Sequence, residues 1–158
     1  WVPAKIDPLA TEGKAELIKR FGDAFVLIDA TGLCVFLAVR YLFDPDLNLG
    51  PTRLTRLMNL TTGAEYTPES LLLAAERVFN LERMFLLEAG FSGKDDTLPS
   101  RMLQEPLPSG PAQGQVVRLN QMLPEFYRLQ GWDKQGIPTP ERLALLGLEE
   151  ILQGGKSR

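Results

Sequence analysis

The sequence predicts a mainly α-helical domain, and three observations support that fold class. Apolar residues recur at three- and four-residue spacing in several segments, as they do in helices that bury one face. Two Thr-Pro-Glu triplets, beginning at Thr67 and Thr139, combine a capping side chain, a proline suited to the first helical position and a carboxylate near the positive end of the helix dipole. Convincing alternation of apolar and polar residues, which is typical of a half-buried strand, is missing.

The first half of the chain contains two apolar segments. Residues 12–28 carry apolar side chains at helical spacing, which predicts a helix broken near Gly22. Residues 33–43, LCVFLAVRYLF, are apolar nearly all round and favour a buried helix. A buried strand stays open there, because periodicity cannot decide for so short a run. Residues 44–52 contain two prolines and a glycine, which predicts a loop.

The second half is predicted to contain three helices around a long irregular stretch. The longest helix follows Thr67 and covers residues 68–89, ending at Gly90. Residues 91–115 are rich in Pro, Gly and Ser and are predicted to be irregular. A helix near residues 118–130, a turn at 131–133 and a last helix that starts after Thr139 and stops at Gly147 complete the chain. Residues 1–158 are thus expected to form a single helical domain.

Composition excludes several classes of function. A net charge of -3 and a pI near 5.1 give no basic footprint for nucleic acid, and no apolar run is long enough to cross a membrane. The chain has one cysteine, no histidine and no recognisable signal peptide, which favours a reducing, cytoplasmic location. Without histidine, self-contained hydrolytic or zinc chemistry is not expected. The chain begins at Trp1 rather than Met, so we expect part of its function to lie in a longer protein.

Apart from the cysteine, three sets of polar or aromatic residues have a simple structural interpretation. Asp95 and Asp96 are either paired carboxylates for acid–base or cation chemistry or, as we favour, caps of a turn. Glutamates of the long helix are interpreted as ion-pair partners of neighbouring arginines rather than as metal ligands; the residues are Glu76, Arg77, Glu82, Arg83 and Glu88. Tyr127 and Trp132 are expected to be core aromatics rather than a stacking platform for a ligand.

The single cysteine, Cys34, closes the stretch DATGLC and has two interpretations. Free cysteine is among the most buried residue types, so Cys34 can be a small apolar core residue. It can also be one ligand of an iron–sulfur cluster, which typically needs four cysteines. The chain supplies one of the four, so this second role requires that the others lie elsewhere.

Six motifs in order make the chain resemble the C-terminal domain of the tungsten-containing aldehyde ferredoxin oxidoreductase family. The resemblance covers residues 13–150 approximately, and the motifs are DATGLC from Asp29, NLTTG from Asn59, ERVFNLER from Glu76, KDDTLP from Lys94, Tyr127 with GWD from Gly131 and GIPT from Gly136, and LLGL from Leu145. The fold implied is an irregular, mainly helical domain. An N-terminal β-domain and a middle helical domain of the family are not contained in this sequence.

The resemblance implies a tungsten ion held by two pterins, or molybdenum in its place, and a four-iron four-sulfur cluster nearby. Cys34 then corresponds to the fourth cluster ligand and metal-binding residue, while three cysteines come from the middle domain. Asp29 corresponds to a pterin-binding residue. A carboxylate accepts from the ring N–H groups, Gly32 lets the backbone approach, and the backbone of Leu33 and Cys34 can hydrogen-bond the ring.

The function implied is oxidation of an aldehyde to a carboxylic acid, with electrons passed through the cluster to ferredoxin. The family's histidine and glutamate near the metal have no counterpart here, so no catalytic residue is assigned and the isolated chain is expected to be inactive. Relatives use formaldehyde, sugar-phosphate aldehydes or aromatic acyl thioesters, which leaves the substrate open. The alternative is a non-catalytic helical interaction module with Cys34 in its core. The oxidoreductase interpretation predicts instead that Cys34 lies at the surface near Asp29, beside an exposed apolar patch at residues 33–36.

Overall fold

A computed structural model describes residues 7–36, 38 and 50–150 of the chain. These residues contain α-helices and no strand beyond one isolated bridge between Trp132 and Pro138. The prediction of a mainly α-helical fold is therefore confirmed. The helices are α1 (Lys14–Thr31), α2 (Pro51–Thr62), α3 (Pro68–Glu88), α4 (Ser100–Gln104), α5 (Leu119–Gln130) and α6 (Pro140–Leu145). None of the helices in this part of the chain is long and apolar enough to cross a membrane.

Helix α1 lies at the centre of the fold and packs against both α3 and α5. The predicted break near Gly22 is wrong, because α1 runs without interruption through that residue. A side chain at Gly22 would bring its Cβ within 3.0 Å of the Phe79 ring on α3. The glycine therefore lets two helices approach closely, and the packing this permits outweighs its low helix propensity.

The longest helix, α3, begins and ends close to where the sequence predicts. The Thr67 side chain accepts from the backbone N–H of Ser70, and the Ser70 hydroxyl accepts from the backbone N–H of Thr67. This reciprocal pair satisfies two N–H groups that a helix start otherwise leaves without partners. The predicted helix at residues 118–130 is α5, and the predicted last helix is α6, capped by Thr139.

Helix α2 was missed by the sequence prediction, which placed residues 51 and 52 in a loop. Pro51 occupies the first helical position, and Gly63 ends the helix in the left-handed conformation with φ 74°. Proline at the start and glycine just past the end are the usual asymmetry of helix termini. That pair of signals was present in the sequence. The rest of the predicted loop, residues 44–49, lies outside the described residues.

In two other segments the structure agrees in part with the predicted elements. Residues 35, 36 and 38 are helical, which favours the helix over the strand for the apolar run, and residues 39–43 lie outside the described part. Within residues 91–115 the short helix α4 is the one regular element, so the predicted irregular stretch is largely confirmed.

Three clusters of buried apolar side chains form the core. Two of them lie around α1 and contain Ala24, Ile28 and Ala38 in one, and Leu27, Leu54, Leu71 and Ala75 in the other. The third lies beneath α6 and contains Leu143, Leu146 and Leu148.

Candidate functional site

The segment DATGLC forms the C-terminal end of α1 and the turn that leaves it. Gly32 has φ 72° and donates its N–H to the carbonyl of Asp29 at 3.1 Å, and Leu33 donates to the carbonyl of Ile28 at 3.3 Å. This hydrogen-bond pair is a Schellman motif, which fixes the direction of the chain after the helix. The Thr31 hydroxyl adds a bond of 2.9 Å to the same Ile28 carbonyl. The turn is consequently held by its own backbone, and glycine is needed at its left-handed position.

Cys34 lies directly after this turn and is exposed. Its carbonyl accepts the N–H of Ala38 at 2.9 Å, so a new helical turn starts there. The flanking Leu33 and Val35 are partly buried and pack against the core. The prediction of a surface Cys34 is confirmed, and the interpretation of Cys34 as a buried core residue is wrong.

Beside Cys34, Phe36 is 88% exposed, which is the largest exposed fraction among the large apolar side chains described. An exposed phenylalanine next to partly buried Leu33 and Val35 means that the residues 33–36 are not enclosed in the core of this chain. The area of the predicted apolar patch stays a prediction.

Asp29, on the last turn of α1, is also exposed. Its backbone carbonyl serves the helix cap, but within the described part of the chain no hydrogen bond or ion pair engages its carboxylate. An exposed carboxylate keeps its full capacity to accept hydrogen bonds from an external partner. Asp29, Gly32, Leu33 and Cys34 thus belong to one turn that is held by helix-cap hydrogen bonds, while the side chains of Asp29 and Cys34 are exposed.

A second set of motif residues meets around the buried guanidinium of Arg83. Arg83 donates through Nη1 and Nη2 to the two carboxylate oxygens of Asp96 at 2.9 and 2.6 Å, and through Nε to the carbonyl of Gly136 at 2.7 Å. The Tyr127 hydroxyl donates to Asp96 as well, and the guanidinium carbon lies 4.8 Å from the centroid of the Trp132 ring. We call these five residues the Arg83 cluster. The hydrogen-bond donors and acceptors of the Arg83 cluster are paired with one another, so the cluster stabilises the fold.

The electrostatics of the Arg83 cluster follow from this geometry. Burial by itself raises the pKa of Asp96, but the hydrogen bonds from Arg83 and Tyr127 outweigh it and hold that pKa below its usual range. Burial and the bond to Asp96 raise the pKa of Tyr127 to about 12. Asp96 is therefore ionised and Tyr127 protonated at neutral pH, and neither group is poised for proton transfer.

The Arg83 cluster corrects the interpretation of the two neighbouring aspartates. Asp95 caps a turn, as predicted, by accepting from the backbone N–H of Ser92 at 2.8 Å and from its hydroxyl at 3.0 Å. Asp96 instead forms a bidentate ion pair with Arg83, 13 residues away. The two carboxylates have different partners and do not form a paired acid–base site.

The aromatic interpretation is confirmed. Tyr127 and Trp132 are 5% and 8% exposed, and Trp132 stacks on Phe79 with a centroid distance of 6.0 Å. The indole N–H of Trp132 donates to the side-chain oxygen of Asn80 at 2.8 Å, and Asn80 is fully buried. Sequence analysis missed Asn80, because a single amide in the middle of a helix gives no signal of its tertiary partner.

A third cluster of charges lies between α1, α3 and α6. Lys19 donates to Asp23 and to Glu76, both at 2.6 Å, and Arg142 lies 3.0 Å from the other Glu76 oxygen. Burial raises the pKa of Asp23 despite the Lys19 ammonium. Burial also acts to raise the pKa of Glu76, but the hydrogen bond from Lys19 and the charges of Lys19 and Arg142 outweigh it and lower that pKa.

This arrangement overturns the predicted pairing of the α3 glutamates with neighbouring arginines. Glu76 pairs with Lys19 and Arg142, and Arg83 pairs with Asp96. Glu82 and Glu88 are exposed and form no ion pair in the part of the chain that is described. The helical spacing rule identifies neighbours on one helix, whereas Glu76 and Arg83 pair with residues outside their own helix. Among the described residues, no group of three or more His, Cys, Asp or Glu side chains is placed to hold a metal ion.

Comparison with known proteins places this geometry in a family. Residues 1–148 match a family model described as aldehyde ferredoxin oxidoreductase, domains 2 & 3. The tungsten-containing aldehyde ferredoxin oxidoreductase of Pyrococcus horikoshii is 40% identical over 152 residues, which is 95% of this chain and 24% of that protein. A protein of the same name from Thermococcus kodakarensis is also 40% identical over 152 residues, with the same coverage. The chain spans about a quarter of the length of these relatives.

A solved structure has the same fold. A chain in the active site complex BamBC of benzoyl coenzyme A reductase, in complex with 1,5 dienoyl-CoA, gives a TM-score of 0.72 at 22% identity. The match covers 98% of this chain and 22% of that one. The resemblance drawn from the six motifs is confirmed, and the chain belongs to the aldehyde ferredoxin oxidoreductase family.

Proposed function

We propose that this chain is the C-terminal domain of a tungsten-pterin oxidoreductase that oxidises aldehydes to carboxylic acids and passes electrons through a four-iron four-sulfur cluster to ferredoxin. The observation that carries the proposal is the 40% identity, across 95% of the chain, to a tungsten-containing aldehyde ferredoxin oxidoreductase. In the balanced reaction an aldehyde and one water give a carboxylic acid, two protons and two electrons. Ferredoxin takes up the electrons.

The rest of the enzyme would belong to the same longer polypeptide. Since the chain spans about a quarter of its relatives, we assign residues 1–158 to one helical domain and the β-domain and middle helical domain to the remainder. The three other cluster cysteines, and the histidine and glutamate near the metal, would lie in those domains. The isolated chain would accordingly be inactive, and the whole enzyme would be cytoplasmic.

Cys34 is proposed as the fourth ligand of the cluster. Its thiol is exposed, and it is the only cysteine in the chain. The thiolate is the form that ligates iron. The Schellman turn fixes the backbone on the N-terminal side of Cys34, so the sulfur would be presented from a rigid support rather than from a free loop.

Asp29, Gly32 and Leu33 are proposed to hold the pterin. The Asp29 carboxylate has no competing partner among the described residues, so it can accept from ring N–H groups. The N–H groups of Gly32 and Leu33 are occupied by the helix cap. The backbone groups left for the ring are therefore the carbonyls of these residues and the N–H of Cys34. The tungsten-pterin group, or its molybdenum counterpart, would supply the two-electron redox centre.

The test uses the full-length protein with Cys34→Ala and Asp29→Ala. We expect Cys34→Ala to lower the iron content, to change the cluster's electron paramagnetic resonance signal and to abolish aldehyde-dependent reduction of ferredoxin. Asp29→Ala should lower tungsten and pterin content while the iron content stays near that of the unmodified protein. Different metals are lost because each side chain is assigned to a different group.

The matched control is Glu88→Gln, which neutralises an exposed acid at the far end of α3 that has no ion pair among the described residues. It should leave iron, tungsten and turnover unchanged. Full iron occupancy together with undiminished electron transfer in Cys34→Ala would disprove the ligand assignment. Loss of both metals in the Glu88→Gln control would show that metal content does not report specifically on the assigned ligands and would remove the support for both assignments.

A further inference from the structure

A groove of 680 Å³ lies between the segment before α1 and the irregular stretch that carries α4. Its volume is in the range of pockets that bind small organic ligands. The walls are mostly apolar, and the larger apolar side chains that line them include Leu9, Met102, Leu107, Val117 and Met122. This groove contains none of the residues assigned above to cluster or pterin.

Three of the apolar side chains in the groove are exposed to solvent. Leu9, Met102 and Leu107 are 41%, 44% and 50% exposed. They come from two segments that are far apart in sequence, and the fold brings them to one concave surface. Leaving this much apolar area in contact with water is unfavourable, at about 25 cal/mol for each Å². The arrangement therefore favours an occupant with an apolar body.

The charges along the groove favour a negative group on that occupant. Lys14, Arg101 and Arg118 line it, against a single acid, Glu105. Lys14 and Arg101 form no ion pair among the described residues, whereas Arg118 donates to the carbonyl of Leu9 at 2.8 Å. Arg118 thus ties the two walls together, while Lys14 and Arg101 have neither this bond nor an ion pair among the described residues.

The walls are also held in place by backbone bonds. Val117 donates its N–H to the carbonyl of Met102 at 2.9 Å, and Leu107 donates to Gln115 at 3.1 Å. A pre-formed concave surface loses little conformational entropy when it binds. These bonds distinguish the groove from a chance depression between mobile loops.

From these observations we propose that the groove binds a small amphipathic carboxylate, with its hydrocarbon part on Met102 and Leu107 and its anion near Lys14 and Arg101. The site is separate from the proposed redox site. Helix α1 starts at Lys14 beside the groove and ends just before Cys34, and its 18 residues span about 27 Å. The proposal therefore does not rest on the proposed oxidoreductase function.

The test is calorimetric titration of the full-length protein with butanoate, hexanoate and octanoate at constant ionic strength, with 1-octanol as the uncharged comparison. Affinity should rise about three- to fourfold for each added methylene, because each buried CH₂ adds a similar increment. Octanoate should bind more tightly than 1-octanol. The measurement does not depend on tungsten, iron or turnover, so it can fail or succeed independently of the redox proposal.

Two variants locate the binding site. Arg101→Ala should weaken octanoate binding about two- to fivefold, as expected for one exposed charge pair, and Lys14→Ala with Arg101→Ala should weaken it about tenfold. The control is Arg56→Ala, which removes an exposed cation from α2, outside the groove. It should leave the affinity for octanoate unchanged.

Several outcomes would overturn the proposal. An affinity that does not depend on chain length would exclude the apolar wall, and equal binding of octanoate and 1-octanol would exclude recognition of the anion. No detectable binding would mean that another part of the polypeptide, or a second copy, covers the groove. Equal weakening by Arg56→Ala and Arg101→Ala would place the ligand elsewhere.

Discussion

The turn around Cys34 and the Arg83 cluster differ in whether their polar side chains have hydrogen-bond partners. In the Arg83 cluster the guanidinium, the Asp96 carboxylate and the Tyr127 hydroxyl are all hydrogen-bonded to one another. In the turn, helix-cap hydrogen bonds hold the backbone, but the side chains of Asp29 and Cys34 have no partner among the described residues. Matched polar groups stabilise a fold, whereas unmatched ones at a surface are available to something outside it. Stability and binding therefore belong to different parts of this chain.

The largest expected effect is that of Arg83→Ala. It removes a buried cation, leaves Asp96 and the Gly136 carbonyl without their donor, and exposes one face of Trp132. We expect a loss of about 3–5 kcal/mol in the free energy of unfolding, as when one partner of a buried ion pair is removed. Denaturant unfolding of the full-length protein measures it. Arg77→Ala, which changes an exposed arginine on the same helix, should cost less than about 0.5 kcal/mol.

The next largest effect is expected for Gly136→Ala. Gly136 has φ 74°, and a Cβ there would overlap the Arg83 guanidinium and the Tyr127 ring. Gly110→Ala is the matched control, since Gly110 has φ 88° and nothing within 4 Å of an added Cβ. The left-handed conformation alone costs roughly 1–2 kcal/mol. Gly136→Ala should lower the free energy of unfolding by at least about 1 kcal/mol more than Gly110→Ala does, and equal losses for the two variants would contradict the steric clash.

A smaller effect, with opposite pH dependence for two acids, is expected in the α1–α3–α6 charge cluster. Because the pKa of Glu76 is lowered by folding, its ionised form stabilises the protein above its unfolded pKa near 4.3, and this contribution is lost as pH falls through the folded pKa. Glu76→Gln removes a carboxylate that is bonded to a charged group, so it should cost about 2 kcal/mol at pH 7 and progressively less at acidic pH.

The contribution of Asp23 to stability changes with pH in the opposite direction to that of Glu76. Its folded pKa is raised, so its ionisation costs stability as pH rises. Asp23→Asn should change stability by less than about 1 kcal/mol at pH 7, and its stability relative to the unmodified protein should improve between pH 4 and 7. Unfolding curves at a series of pH values test both acids, and parallel pH profiles for the two variants would contradict the assigned shifts.

The smallest effects on stability are expected for the two exposed side chains of the turn, Asp29 and Cys34. Cys34→Ala and Asp29→Ala remove exposed side chains that have no partner among the described residues, so each should change the free energy of unfolding of the metal-free protein by less than about 0.5 kcal/mol. Gly32→Ala should cost roughly 1–2 kcal/mol, because a left-handed residue at this cap requires glycine. A large destabilisation by Cys34→Ala in the absence of metal would indicate that Cys34 stabilises the fold by packing.

What could be read from the sequence was local. The start of α3 at Pro68 follows from Thr67 and its neighbours, since a capping box needs contacts over only three residues. The turn after α1 and the surface position of Cys34 follow from Gly32 within the motif that resembles the family. The order of the six motifs identified the family because they cover most of the chain.

Only the tertiary structure decided which distant groups meet. Gly22 continues α1 because Phe79 of another helix fills the space beside it. Glu76 pairs with Lys19, 57 residues away, instead of with an arginine on its own helix. Asn80 pairs with Trp132, 52 residues away, for the same reason. Helical spacing specifies which side chains share a face, but a buried charge or amide must be satisfied by whatever the packing of other helices brings to it.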